Sequence, residues 1–295
     1  MVAARTRPLH RSHYENFPVA SLLVPARMRA HIAAVYAFAR VADDFADEGE
    51  RPIDARLALL DRWGSRLRDA MEGRPQDEAV DPQEPPDAAR LFERLAATIR
   101  EKALPVELFD ALLSAFRQDV TVHRYATWAD VYDYCRRSAN PVGRIVLRIA
   151  GYRDDRLDAW SDAICTALQL TNFWQDLRTD VARGRLYVPA EEMRAHRADE
   201  QQLTGAVMGV EWRAAMAAAI ARTRRLFDEG RPLCSAVNGR LRLELRATWL
   251  GGTRILDRIE AAGFDALAKR PVIRTTDLPW FAGRLALWGM TPDRG

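Results

Sequence analysis

Between Tyr36 and Asp47, four chemically useful side chains recur at helical spacing inside an otherwise small and apolar run: Tyr36, Arg40, Asp43 and Asp47. At about 100° per residue, the last three fall within roughly 40° of Tyr36 around a helix axis. Gln169, Asn172, Asp176 and Asp180 repeat the device, spanning about 80° of a second helix face. Each Asp-x-x-x-Asp sets two carboxylates one turn, roughly 6 Å, apart along its helix. Such a pair resists burial against its own like charge unless cations intervene. Mg²⁺ is the natural cation, because it prefers hard oxygen ligands and bridges one or two carboxylates to substrate phosphates. The ligand implied is a diphosphate, which Arg40, Arg183 and Arg185 would complement. A helix interior of Leu, Phe, Val and Ala between the two faces suits an isoprenoid diphosphate, whose ionisation yields a carbocation shielded from stray water.

Each piece has a plainer reading. One Asp-x-x-x-Asp with neighbouring arginine is ordinarily a solvated helix face. Two of them, each preceded on its own face by polar groups set in apolar sequence, are not. Tyr36 and Tyr134 taken alone read as core tyrosines, and Arg183 and Arg185 alone could cap a helix C-terminus. His31 and His123 lack ligand spacing and read as structural.

The elements that must position these residues are helical throughout. The first helix opens at Pro25 and runs to about Asp47, and a second spans Ile53 to Met71. Gly73 to Asp87 is proline-rich and acidic, a surface loop. Helical periodicity resumes from Ala88 to Glu101 and from Pro105 to Val122, with Leu108, Leu112, Leu113 and Phe116 as an apolar stripe. Thr127 to Asp130 has the form of a capping box, opening a helix through Tyr134 toward Ser138. Asn140-Pro141 interrupts it; Val142-Gly143 restarts an apolar helix to Ala150, which Gly151 ends. The helix from Asp155 to Asp180 carries the second polar face and is closed by Gly184. Runs from Val207 to Gly230 and Pro232 to Leu250 precede Gly251-Gly252. No alternating β-branched run argues for a sheet and no repeat or boundary divides the chain, so the expectation is one all-α domain over residues 1–295.

Composition adds bounds. Hydrophobic residues make up 48% of 295, enough for a sizeable core, and 44 basic against 41 acidic residues leave a net charge of +3, too mild to argue for nucleic acid. Cys135, Cys165 and Cys234 are odd in number with no CxxC pair, which fits buried thiols in a reducing compartment. No apolar signal region and no long uncharged apolar run is evident, so a soluble cytoplasmic protein is expected, with peripheral membrane contact left open. The aromatic tail at Pro279-Trp280-Phe281 and Leu287-Trp288 is read as packing on the core rather than touching a membrane surface.

At these residues the sequence resembles the squalene/phytoene synthase family of all-α isoprenoid synthases, over about residues 13–270. The motifs that carry the resemblance are Tyr36-x-x-x-Arg40-x-x-Asp43-x-x-x-Asp47, Gln169-x-x-Asn172-x-x-x-Asp176-x-x-x-Asp180, and Arg183-Gly184-Arg185-x-Tyr187-x-Pro189. The resemblance implies a helical bundle around a central apolar cavity. It implies Mg²⁺ and diphosphate at Asp43, Asp47, Asp176 and Asp180, with Asn172 as co-ligand and Arg40 and Arg185 as diphosphate contacts. His13, Phe17, Gln169, Arg183 and Tyr187 join them as candidate substrate contacts, and Tyr36, Tyr134 and Asn140 as candidate catalytic groups.

Within the family, Glu15 to Ser21, Ala42 to Gly49 and Arg137 to Gly143 are similar to the bacterial hydroxysqualene synthases. That branch converts presqualene diphosphate and water to hydroxysqualene and diphosphate in the hopanoid route, between a presqualene diphosphate synthase and a hydroxysqualene oxidoreductase. Many family members carry Val-Ala-Gly where this chain has Ser138-Ala139-Asn140, polar groups that could position a water near the cation. Gly251-Gly252 does not make a dinucleotide loop, so no NADPH is expected. Glu15 stands where some relatives place a lysine for a second diphosphate, which argues against head-to-head condensation of two prenyl diphosphates, the alternative reaction. A catalytically silent assembly protein of the same fold would be expected to lose an aspartate pair, and both are intact.

Overall fold

The computed structural model describes residues 24–47, 51–79 and 81–288. Among them the chain forms α1 (Ala26–Asp47), α2 (Ile53–Met71), α3 (Ala88–Lys102), α4 (Glu107–Thr121), α5 (Trp128–Ser138), α6 (Asn140–Ala150) and α7 (Asp155–Ala182). There follow α8 (Ala190–Ala195), α9 (Val210–Gly230), α10 (Leu233–Ala236), α11 (Gly239–Ala261) and α12 (Leu278–Ala286). No strand occurs among the described residues beyond one isolated bridge between Arg124 and Leu186. The fold is the all-α bundle expected.

Three long helices run the same way. The Asn238 amide before α11 donates to the Tyr152 hydroxyl before α7 at 2.9 Å, so those two helices start together. Pro25 to Met28 of α1 line a depression with Tyr152 and with Asn238 to Leu241, which brings the start of α1 to that same end. Further along, a Cβ on Gly252 of α11 would touch Leu168 of α7. The C-terminal ends of α1 and α7, each bearing an acidic pair, therefore lie at the opposite end of the bundle.

On its core side α1 buries Met28, Val35, Phe38, Ala42 and Phe45. Phe38 meets Trp63 of α2, Phe92 of α3 and Phe109 of α4, with ring centroids 5.7 to 6.2 Å apart. The Trp63 indole N–H donates to the Phe38 carbonyl at 3.2 Å, satisfying its one polar atom. A second core joins α5, α7, α9 and α11, with the Trp174 indole of α7 donating to the Thr223 hydroxyl at 2.9 Å.

Most expected boundaries fall within two residues of those found, and Thr127 and Asp130 do form a reciprocal capping box. Three readings need correction. The helix after Asn140-Pro141 starts at Asn140 itself, because proline is tolerated in a first turn where its missing N–H is not required. The run from Pro232 to Leu250 is two helices, broken at Val237-Asn238, and Gly251-Gly252 lie inside α11 rather than beyond it. Gly252 is a packing device: a Cβ there would stand 2.3 Å from the Phe227 ring, so only glycine at this position lets α11 close on α9. The loop from Gly73 to Asp87 is not wholly superficial, for Glu84 is only 5% exposed and pairs with Arg62 and Arg66 of α2. Arg66 also lies 5.0 Å from the centroid of the Phe92 ring, so a loop carboxylate neutralises a cation sunk between helices.

Of the aromatic tail, Trp288 packs on the core and Trp280 and Phe281 are partly buried against it, while Pro279 and Leu287 are exposed. Trp288 is buried edge-on to Trp249 at 5.4 Å, and Arg254 covers Trp280 at 4.9 Å. The cysteines are free, with Cys135 and Cys234 buried. His31 bonds the Thr98 hydroxyl at 3.1 Å, and the His123 main-chain carbonyl accepts the Leu186 amide. No described helix is long and apolar enough to cross a membrane.

Candidate functional site

Asp43 and Asp47 occupy the last turn of α1, and Asp176 and Asp180 the last two turns of α7. Neither helix has a basic residue in its last turn. A helix C-terminus carries roughly half a negative charge from its unpaired carbonyls, so each acidic pair is added to an end already negative. This is an arrangement for cations, since a carboxylate there is disfavoured until something positive arrives.

Burial pushes the Asp43 carboxyl up to about 7, with Asp47 and Asp44 adding to the shift and Arg40 and Arg185 opposing it. Burial likewise pushes Asp180 up to about 7, with Asp176 and, from the other helix, Asp47 adding to it. The two pairs thus sense one another across the end of the bundle.

Arginines hold the clamp meanwhile. Arg185 grips Asp47 through both oxygens, at 2.6 and 3.1 Å, and so ties the segment after α7 to the tip of α1. Its position is fixed by the backbone. Gly184 adopts φ 75°, the Gly184 amide bonds the Val181 carbonyl, and the Arg185 amide bonds the Asp180 carbonyl at 2.7 Å, closing α7 with a Schellman turn. Arg40 reaches Asp43 at 3.3 Å and Asp44 at 2.5 Å. Arg270, on the segment after α11, grips Asp176, and beside it the Gln175 side-chain amide donates to the Pro271 carbonyl at 2.6 Å. Arg183 caps α7 with its side chain exposed.

Beside the clamp stands an aromatic layer. Tyr187 lies flat on Phe173 at 3.6 Å between centroids, with Tyr134 6.1 Å from Phe173 and Tyr125 5.9 Å from Tyr134. The Tyr134 hydroxyl donates to Asp119 at 3.0 Å. Asp119 is 8% exposed, and burial pushes it up to about 7, with Asp47 and Asp43 adding to the shift, so it adjoins the acidic ends.

Behind the clamp a cavity of about 370 Å³ runs between α1, α6, α7 and α11. Tyr36 and Leu168 line it where α1 and α7 approach the acidic pairs, and Val24, Met28 and Leu241 line it at the far end. Its wall is almost wholly apolar. Gln169 and Asn172 are partly buried on α7 between Leu168 and Asp176. A cluster of charged oxygens and guanidinium groups at one end of an apolar pocket fits a ligand with a polyanionic head and a hydrocarbon body.

A sequence profile of the squalene/phytoene synthase family matches residues 10–277. The chain belongs to the squalene/phytoene synthase family. Hydroxysqualene synthase from Sinorhizobium fredii is 35% identical over 82% of this chain and 77% of its own length. A 15-cis-phytoene synthase from Synechococcus elongatus is 29% identical over 91% of this chain and 87% of its own. Squalene synthase HpnC from Alicyclobacillus acidocaldarius has a crystal structure that superposes with a TM-score of 0.77 at 41% identity, covering 86% of this chain and 91% of that one. The protein is therefore an enzyme of squalene/phytoene synthase type.

The family fold brings together most of the residues anticipated from the sequence: Arg40, Asp43, Asp47, Asp176, Asp180 and Arg185 at the clamp, Tyr134 and Tyr187 in the aromatic layer, and Tyr36 on the cavity wall. Asn140 is elsewhere. It is 8% exposed and its Oδ1 accepts the Thr166 hydroxyl at 3.0 Å, which pins α6 to α7. His13, Phe17 and Glu15 lie outside the described residues. Arg270 and Asp119 were not anticipated. Arg270 is 94 positions from its partner, and no spacing rule links residues that far apart. Asp119 left a faint signal as an aspartate near the end of an otherwise apolar α4 face.

Proposed function

We propose that the enzyme is a Mg²⁺-dependent hydroxysqualene synthase acting on presqualene diphosphate. The observation that carries the reading is the meeting of two acid-bearing helix ends on the side of an apolar cavity that Tyr36 and Leu168 line. The residues present suit Mg²⁺. Asp43 and Asp180 are held against their own neighbours at a cost that a divalent cation would remove. No three acidic, histidine or cysteine side chains converge on one point among the described residues, and Mg²⁺ ordinarily completes its shell with water and substrate phosphate. Asp43, Asp47, Asn172, Asp176 and Asp180 would hold it. When bound, the ion neutralises charge that develops on the departing diphosphate.

The rest falls to the chain. An incoming diphosphate competes with Asp47, Asp43 and Asp176 for Arg185, Arg40 and Arg270, and each guanidinium turns from carboxylate to phosphate. As the carbon–oxygen bond breaks, its electron pair leaves with the diphosphate. The cyclopropylcarbinyl cation rearranges within the apolar cavity, whose wall shelters it from stray water. A water oxygen then bonds to the cation and gives up one proton, yielding the alcohol without any reductant.

Capture by water is supported by the kinship to hydroxysqualene synthase and by Ser138. The Ser138 hydroxyl is buried with no hydrogen-bond partner among the described residues, one turn beyond Tyr134 on α5. A lone buried hydroxyl is a place to hold one water. Tyr134 is the nearer of the anticipated groups to the clamp, whereas Asn140 serves the α6–α7 contact. The kinship to phytoene synthase supports a second reading, head-to-head condensation of two prenyl diphosphates. Presqualene diphosphate with Mg²⁺ and no NADPH separates the two: hydroxysqualene is expected, and consumption of farnesyl diphosphate with no alcohol from presqualene diphosphate contradicts the first. Upstream, a presqualene diphosphate synthase would supply the substrate, and an oxidoreductase would consume the alcohol.

A further inference from the structure

The wall of the cavity holds one acidic group. Glu244 of α11 lines it among Leu241, Leu245, Met28, Ile32 and Val146. Its Oε2 is buried with no hydrogen-bond partner among the described residues. Its place along the cavity follows from the parallel helices. Glu244 is eight residues before Gly252, which meets Leu168, and Leu168 is four residues before Asn172. Twelve residues of helix set the carboxyl about 18 Å behind Asn172 of the clamp face. That is the deep end, next to Leu241, where α1, α7 and α11 begin.

Resting on the prenyl diphosphate reading above, we propose that Glu244 is a specificity-determining residue that limits the length of the prenyl chain by forming a polar floor to the cavity. A 15-carbon chain anchored by its diphosphate fills the apolar stretch and stops at the carboxyl. A 20-carbon chain must run past it and strip the last water from a group already short of partners. Burying a polar group without a hydrogen bond is unfavourable whatever its size, so the floor discriminates by polarity as well as by bulk. Burial alone pushes this carboxyl up to about 8, in keeping with a group that no cation supports. Leucine is close to glutamate in bulk and carries no polar atom, and therefore separates the two effects.

The test is binding of unreactive thiolodiphosphate analogues of farnesyl and geranylgeranyl diphosphate, with Mg²⁺, to the full chain and to Glu244→Leu and Glu244→Gln, by calorimetry. Thermal melting confirms that each variant is folded. Unmodified protein is expected to prefer the 15-carbon analogue. Glu244→Leu should raise relative affinity for the 20-carbon analogue about tenfold or more, and Glu244→Gln, which stays polar, by less than half that factor. A ratio unchanged within twofold in Glu244→Leu overturns the proposal while leaving the prenyl reading intact. Failure of the unmodified protein to bind either analogue overturns the proposal, and failure to turn over presqualene diphosphate as well overturns the reading it rests on.

Discussion

At the scale of residues, the acidic ends are the groups proposed to carry the chemistry, and their burial sets a pH response. Asp43, Asp119 and Asp180 each have a folded pKa of about 7, above the ordinary carboxylate value near 4. A raised carboxyl contributes stability in full below its unfolded pKa and loses it as pH rises through the folded one. Burial lowers His123 and works the other way, but it is one group against these three together with Glu244 and Asp228, which burial also raises. The metal-free protein is thus expected to melt at progressively lower temperature from pH 5 to pH 8 by calorimetry, and saturating Mg²⁺ with diphosphate should flatten that slope. A melting temperature that climbs over the interval contradicts the assignment. Asp176→Asn should lower kcat about 100-fold or more, the usual loss when a group serving developing charge is removed. Its stability should change by less than about 1 kcal/mol, because the partly exposed pair with Arg270 contributes little. The paired aspartates were legible because each pair sits on one helix at a spacing that sequence displays. Arg270 and Asp119 were not, because their relation to the site exists only in the packed molecule.

At the scale of elements, glycine and buried charge decide how helices meet. Gly252→Val forces a side chain into the Phe227 ring, and overpacking of that kind costs about 1 to 3 kcal/mol. Glu84→Ala strands Arg66 beneath the loop with a buried, unpaired cation, for which a loss of about 3 to 5 kcal/mol is expected. Chemical denaturation of each variant checks both figures; a loss below about 0.5 kcal/mol for Glu84→Ala would mean that the loop does not hold α2. These positions mark where sequence reasoning fell short. Gly251-Gly252 read as punctuation because glycine usually ends a helix, yet both lie inside α11 and Gly252 permits close approach. Glu84 read as surface because its neighbours are proline and acid, and nothing local reveals a buried arginine 18 positions back. Helix existence and most helix ends, by contrast, followed from apolar periodicity and caps such as Thr127 and Gly184.

At the scale of the whole molecule, three parallel helices deliver two negative helix ends to one end of the bundle and enclose an apolar cavity along their earlier turns. Because binding to the folded state alone stabilises it, Mg²⁺ with diphosphate should raise the melting temperature, and a chelator should remove both that gain and turnover. Ser138→Val should keep diphosphate release within about threefold and move product from alcohol toward hydrocarbon, since it removes a hydroxyl without disturbing the clamp. The central claim is that this chain ionises a preformed cyclopropylcarbinyl diphosphate and closes the reaction with water. Product analysis after incubation of the purified protein with presqualene diphosphate, Mg²⁺ and H₂¹⁸O, without NADPH, tests it most directly. Hydroxysqualene carrying ¹⁸O is the expected result; unchanged presqualene diphosphate under conditions that consume farnesyl diphosphate would contradict it.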